Sequence, residues 1–288
     1  MTALLLGALG LTLSLVVPGV LEGAHWTDRA PAATVLLWQA VTLAAVLSAL
    51  GVVLAAPEEL VRAAGSGRPV AAAALVAALA VAALIVIRLV VSLAGVSYRS
   101  RARRARHRML LDLLDRAEQR REIDVDGLRV LDGALPFAYC VPGRSPRVVL
   151  SGGTLEVLDR AQVDAVLAHE SAHLRHRHDV VTESFTAVYQ AVPRPLRSRV
   201  PLDAVHVLLE MVADDAARRR SGAGPLRAAL ERLSDADGQR RRLDRLTADN
   251  RSVALAVLMT VVAIAILVLP TVILVVPWLD QAWSAWPL

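Results

Sequence analysis

Four apolar runs, each long enough to cross a bilayer, limit what this chain can fold into. Met1–Leu21, Ala30–Pro57 and Ser252–Leu279 carry no charged side chain, and Pro69–Ile87 begins another run that continues past Arg88 to Tyr98. A bilayer core needs about 20 apolar helical residues. Hydrophobic residues make up 55% of the chain, high for a soluble protein of this length. The expected architecture is α-helical in the membrane. Residues 1–98 hold three transmembrane helices (about 1–21, 31–56 and 69–98), and 252–288 hold a fourth with a short tail. Residues 99–251 form a separate domain, ample for one α+β core. The first run lacks a positive n-region and outlasts the usual apolar core of a signal peptide, so it reads as a retained helix. Pro270 and Pro277 predict a kink or a broken last turn in the fourth run. Arg88 is expected near a membrane boundary, its guanidinium reaching toward headgroups.

The arginines orient the spans. Arg99, Arg101, Arg103, Arg104, Arg106 and Arg108 follow the third run, while Arg240, Arg241, Arg242, Arg245 and Arg251 precede the fourth. Basic clusters beside spans mark the cytoplasmic side, so residues 99–251 are expected in the cytosol and Glu58–Arg68 in a short external loop. All 32 basic residues are arginine, a bias that high-GC coding explains without nucleic-acid binding. The run at 99–108 lacks interleaved aromatics and abuts a span, so anionic lipid headgroups suit it better than DNA. Cys140 is the only cysteine, which excludes an intramolecular disulfide.

Within the intervening region, Leu128–Leu131 and Arg147–Leu150 read as short strands separated by Pro142, Gly143 and Pro146. Arg99–Arg121 reads as a helix leaving the membrane. Residues 180–205 contain Pro193, Pro195 and Pro201 and read as a connecting helix ending in a loop. After Ser221–Pro225 breaks the chain, a last helix over Leu226–Leu233 leads into a charged linker.

The chemistry lies in His169-Glu170-Ser171-Ala172-His173. Asp159 and Gln162 form a capping pair, and Val163, Val166 and Leu167 make an apolar stripe, so the motif falls within an amphipathic helix. Residues four apart share a helix face. His169 and His173 can therefore present ring nitrogens to one zinc ion, while Glu170, about 100° round, can reach a water as general base. The competing account is a surface helix with two incidental histidines. A tetrahedral catalytic zinc wants a third protein ligand. Glu210 can supply it, and Asp214, one turn on, can fix the tautomer of a ligand histidine. Asp215 reads as part of a solvated face paired with Arg218 to Arg220. His176 and His178 read as the polar end of the zinc helix. The oxyanion donor stays open among His176, His178, Tyr189 and Arg218.

H-E-x-x-H followed some tens of residues later by E-x-x-A-D resembles the gluzincin metallopeptidases, in which a glutamate is the third zinc ligand. The stretch Ala138–Gly143 with Pro146–Ser151 is similar to the strand before the active-site helix in BlaR/MecR-type membrane peptidases. The resemblance implies a membrane zinc metalloendopeptidase with a cytosolic gluzincin-like domain. His169, His173 and Glu210 would be its ligands and Glu170 its base. It also implies that Arg147, Val148, Val149 and Leu150 form an exposed edge strand that pairs with an extended substrate. The receptors carry a penicillin-binding sensor domain after the fourth span, where this chain reaches Leu288, so direct β-lactam sensing is not expected. The implied role is regulatory: cleavage of a cytosolic transcriptional repressor, with the signal arriving through the membrane helices or a separate sensor protein. Quality-control proteolysis in the membrane is the alternative, followed by a non-catalytic signalling protein that retains the fold.

Overall fold

The structure, a computed structural model, describes residues 1–117, 128–143, 145–194, 197–233, 240–248 and 251–284. It divides into two compact units. One holds residues 1–93, 187–205 and 252–288, and the other 94–186 and 206–251.

The first unit is helical. α1 (Thr2–Leu11) runs through one π-helical turn, Thr12–Val16, into α2 (Val17–Glu22). After a 3-10 turn at His25–Arg29 come α3 (Pro31–Gly65), the first half of α4 (Pro69–Ala117) and, much later, α11 (Val253–Ser284). Among the described residues, four stretches are long and apolar enough to cross a membrane: Thr2–Glu22, Pro31–Gly65, Pro69–Leu110 and Val253–Pro277. The centre of the unit is α3. Leu37, Val41 and Ala44 on it pack against Leu13, Met259 and Ala263, while Val52 and Ala56 pack against Leu6, Leu75 and Ala82.

Three expectations change here. The segment read as an external loop from Glu58 is helical to Gly65, continuing α3 through Pro57. Of the kink or broken last turn expected at Pro270 and Pro277, the break is not seen, since the last helix continues to Ser284. Arg88 does not reach for headgroups: its Nε donates to the Ala191 carbonyl at 2.6 Å, and Ser92 Oγ donates to the Ala187 carbonyl at 2.8 Å. Ala191 is the last residue of α7 (His178–Ala191), where a helix carbonyl has no internal donor left, and Ala187 lies one turn before it. A cation at that end also suits the helix dipole.

The second unit begins with the C-terminal half of α4, read from the sequence as a helix to Arg121; residues 118–121 lie outside the described residues, as does Pro195. A three-stranded sheet follows, made of β1 (Leu128–Leu131), β2 (Ala138–Val141) and β3 (Arg147–Ser151) in the order β1-β3-β2. β3 pairs in parallel with β1 and antiparallel with β2. Arg147, Val148, Val149 and Leu150 therefore form the central strand and not an exposed edge. The physical reason is visible in the run itself. Three consecutive apolar residues, with Val149 and Leu150 fully buried, fit a strand covered on both faces better than an alternating edge.

At the end of β3, Ser151 turns the chain, its Oγ accepting from Thr154 N at 3.1 Å as the cap of α5 (Gly152–Val157). Gly153 is required there, because a Cβ would stand 2.2 Å from the Ala134 carbonyl oxygen. α6 (Arg160–Arg175) starts on the capping box that the sequence contains: Gln162 N donates to Asp159 Oδ1 at 2.9 Å, and Asp159 N donates to Gln162 Oε1 at 3.2 Å. Val166 packs toward the sheet with Leu128, Val148 and Leu150. Ala165 and Ala168 meet Ala217, Leu226 and Leu230. Ala172 packs with Ala213 and Ala216 of α8 (Val200–Ser221), and these small side chains let α6 and α8 approach closely. Gly222, with φ of +84°, separates α8 from α9 (Ala223–Leu233). The segment read as a charged linker contains an eight-residue helix, α10 (Arg240–Thr247).

Candidate metal centre

The close contact of α6 with α8 brings three side chains together. His169 Nε2 and His173 Nε2 lie 3.1 Å apart; Glu210 Oε2 is 3.3 Å from the first, and Glu210 Oε1 is 3.4 Å from the second. These are His169, His173 and Glu210, which the sequence singles out from positions some 40 residues apart. A tetrahedral ion with bonds of ~2.0–2.1 Å holds its ligand atoms about 3.3–3.4 Å from one another. The two Glu210 contacts, made by different carboxylate oxygens, match that spacing, and the His169–His173 separation is 0.2 Å shorter than its lower end. Two imidazoles and a carboxylate are also a donor set that suits zinc.

A second layer holds these groups in place. Asp214 is buried, with Oδ1 3.0 Å from His169 Nδ1. The nitrogen is itself buried and has no aligned hydrogen bond, so a small ring rotation would complete the contact that keeps Nε2 directed at the cluster. Arg242 of α10 grips Asp214 with both arms, Nε at 2.8 Å and Nη2 at 2.7 Å, and reaches Glu210 Oε2 from Nη1 at 3.0 Å. His178, buried at the start of α7, meets His173 Nδ1 through its own Nδ1 at 2.9 Å. It is placed there by Arg177, whose φ of 51° turns the chain sharply between α6 and α7.

Electrostatics follow from this packing. Burial works against charge on Glu210, but the His169 contact and the Arg242 guanidinium outweigh it and hold the carboxyl at about 2. Burial likewise opposes charge on Asp214, and the bidentate Arg242 reverses that too, lowering its pKa. At His169 burial is again overcome, by Asp214 and Glu210, which raise the imidazole to about 9. His173 and His178 are depressed to about 4, chiefly by burial. Burial pushes Glu170 upward. Its hydrogen-bond partner is Cys140 of β2, whose thiol is pushed up to about 12 by burial first and by the Glu170 charge second.

A cavity of about 470 Å³ opens beside the cluster, bordered by His173 and Glu210, by Cys140 of β2 and by Arg242. Of the open oxyanion candidates, His178 borders it, while His176, Tyr189 and Arg218 do not. Tyr189 instead carries Arg197 over its ring at 4.8 Å. Asp215 is not on a solvated face: it pairs with Arg245 at 2.7 Å and Arg251 at 2.6 Å. Sequence reasoning missed Arg242 and gave His178 a lesser role. Arg242 had no distinguishing signal within an arginine-rich stretch. His178 stands five residues after His173 and could have been flagged as a partner for its second nitrogen.

Residues 100–193 match the profile of peptidase family M48. That segment includes His169, Glu170 and His173 but stops before Glu210. Among curated proteins the chain is similar to a Protease HtpX homolog of Thermodesulfovibrio yellowstonii, 30% identical over 81 residues (27% of this chain and 28% of that protein). It is also similar to Protease HtpX homologs of Campylobacter concisus, 29% identical over 82 residues, and of Salinibacter ruber, 33% identical over 81. These cover 27% of this chain and 28% and 29% of the relatives, so the chain spans less than a third of the length of the curated relatives it matches. No solved structure matches it significantly.

Proposed function

We propose that the protein is a membrane-integral zinc endopeptidase in which His169, His173 and Glu210 hold the ion and Glu170 is the general base. The observation that carries this is the convergence of His169, His173 and Glu210, whose two Nε2 atoms lie 3.1 Å apart with the Glu210 oxygens 3.3 and 3.4 Å from them. Zinc bound there supplies Lewis acidity, toward a water and toward a peptide carbonyl. The rest falls to side chains of this chain. Glu170 takes a proton from the attacking water and later delivers it to the departing amine. Asp214 and His178 fix the tautomers of His169 and His173, and Arg242 holds Glu210 and Asp214 in register. An extended substrate would add to the outer edge of β2, Ala138–Val141, which pairs only with β3 among the described residues and brings Cys140 to the cavity.

The matched relatives are named proteases, which supports the peptidase reading, and its first form is general membrane proteolysis of the quality-control kind. The BlaR/MecR resemblance supports the second reading, cleavage of a cytosolic repressor on a signal from a separate sensor. In either case the exposed Arg101, Arg103 and Arg106 on α4 favour a cytosolic site. The test uses the full chain in detergent. About one zinc per chain is expected, lost in His169→Ala and kept in Glu170→Ala, with β-casein cleavage abolished in both. A Glu170→Ala protein that cuts casein as fast as wild type would overturn the assignment. Comparing proteomes of wild-type and Glu170→Ala cells separates the two readings: many fragments for quality control, one discrete fragment for a regulatory cut.

A further inference from the structure

The cavity beside the cluster contains one imidazole that the mechanism above leaves unused. His206 is exposed, borders the cavity and, among the described residues, has no hydrogen bond or ion pair. Its ionisable neighbours there are committed, and Thr182 is the other polar side chain that borders the cavity. His178 is held by His173 at 2.9 Å, Asp179 by Arg104 at 2.8 Å and Arg242 by Asp214. Cys140 is bonded to Glu170. A group that stabilises charge appearing only during reaction has to be an available donor facing the place where that charge develops.

Position on the helix supplies the second argument. His206 precedes Glu210 by four residues on α8, so the two share a face about 6 Å apart along the axis. Helix side chains lean toward the N-terminus, which tilts the Glu210 carboxylate toward the turn carrying His206. The imidazole therefore borders the space in front of the carboxylate, where a bound carbonyl would lie.

We propose that His206 is a catalytic residue that donates a hydrogen bond to the oxyanion formed when water adds to the scissile carbonyl. This rests on the peptidase reading above. In the step, the water oxygen bonds to the carbonyl carbon, the water proton passes to Glu170, and the carbonyl π pair moves onto oxygen, where the His206 N–H meets it. Collapse returns that pair to the C–O bond and breaks the C–N bond, and nitrogen takes the proton from Glu170. The sequence reading considered other donors and passed over His206. Its i,i+4 relation to Glu210 was the available signal.

The experiment compares wild type, His206→Ala, His206→Gln and Glu170→Ala as full-length protein in detergent. Cleavage of labelled β-casein, zinc content, and binding of a phosphinic pseudopeptide against its parent peptide are measured. Loss of an oxyanion donor costs about 10²–10³ in kcat. His206→Ala should show that loss, with KM within about twofold and zinc unchanged. Its phosphinic ligand should bind at least about tenfold more weakly while the parent peptide is unaffected. His206→Gln, which keeps an N–H donor, should recover part of the rate. A His206→Ala protein with wild-type kcat and wild-type phosphinate binding overturns the proposal, while an inactive Glu170→Ala keeps the peptidase reading standing. A change confined to KM, or a loss of zinc in His206→Ala, also overturns it. Absence of zinc from the wild-type protein removes both.

Discussion

At Arg242 two carboxylates, Asp214 and Glu210, converge on one buried guanidinium, and Asp214 is almost fully enclosed at 1% exposure. Removing one partner of such a pair leaves a buried charge without compensation, at about 3–5 kcal/mol. Arg242→Met should therefore lower the unfolding midpoint of the detergent-solubilised protein sharply. Arg242→Lys should recover only part of it, because an ammonium cannot bond Asp214 with two parallel arms. In Asp214→Leu/Arg242→Met the buried pair is gone while Glu210 keeps its contacts with His169 and His173, so most of the stability should return. Zinc affinity should nevertheless fall about 10–100-fold, because His169 has lost the carboxylate that orients it. Equal midpoints for wild type and Arg242→Met would show the pair to be dispensable. The thiol of Cys140 offers a second residue-level test. Its pKa of about 12 lies above the ordinary thiol value, so thiolate is scarce until strongly alkaline pH. At pH 8 iodoacetamide should modify it about 10³ times more slowly than a free cysteine with pKa ~8.5. Glu170→Gln removes the negative neighbour but not the burial, so the pKa should fall and alkylation speed up at the same pH. A rate in the native protein equal to that of free cysteine would rule this environment out.

The elements around the site are held by backbone approaches as tight as its side-chain contacts. Gly153 N donates to the Gly133 carbonyl at 2.8 Å, and no Cβ fits beside Ala134. Gly153→Ala should destabilise by about 1–3 kcal/mol, because the clash is with backbone and cannot be relieved by a rotamer change. Thermal unfolding that leaves the midpoint unmoved would mean the β3–α5 corner can open at no cost. These elements also show what can be read from residues in order. The capping box at Asp159–Gln162, the stripe before His169 and the i,i+4 histidines are local, so α6 and its metal-facing side were legible. The lengths of the apolar runs were legible for the same reason, since the length of an uncharged run is a property of consecutive residues. β3 was misread as an edge because it inserts between two strands that both precede it in the chain, an order that residues in sequence do not reveal, although its unbroken Val148-Val149-Leu150 was a fair sign of a central strand. Arg242 was out of reach: its partners are 28 and 32 residues away, on another helix, and its type is the commonest charge in the protein. The position of His178 depends on the left-handed backbone at Arg177, and a side chain with a Cβ gives no warning of that turn.

The helices of the first unit present their apolar residues outward along most of their length. Ile87, Val90 and Val91 on α4 and Val257, Leu258 and Ile264 on α11 are all more than half exposed. Apolar surface this continuous is incompatible with water and suited to lipid. The protein should therefore stay with the membrane after carbonate washing at alkaline pH. Which way it faces is decided by charge. α4 continues past its apolar part into a turn-by-turn series of arginines, of which Arg101, Arg103 and Arg106 are exposed. Arg242, Arg245 and Arg251, which precede the fourth span, are occupied in ion pairs and carry less weight. Each exposed arginine near an anionic leaflet contributes about 1 kcal/mol of attraction, so three on one helix still favour that leaflet. An Arg103→Cys protein in a Cys140→Ser background provides the measurement. A membrane-impermeant maleimide should fail to label it in intact cells and label it fully once the membrane is opened. Labelling in intact cells would place the α4 arginines outside. The peptidase chemistry would then be untouched, but its substrates would have to be sought among extracytoplasmic proteins, and a cytosolic repressor could not be one of them.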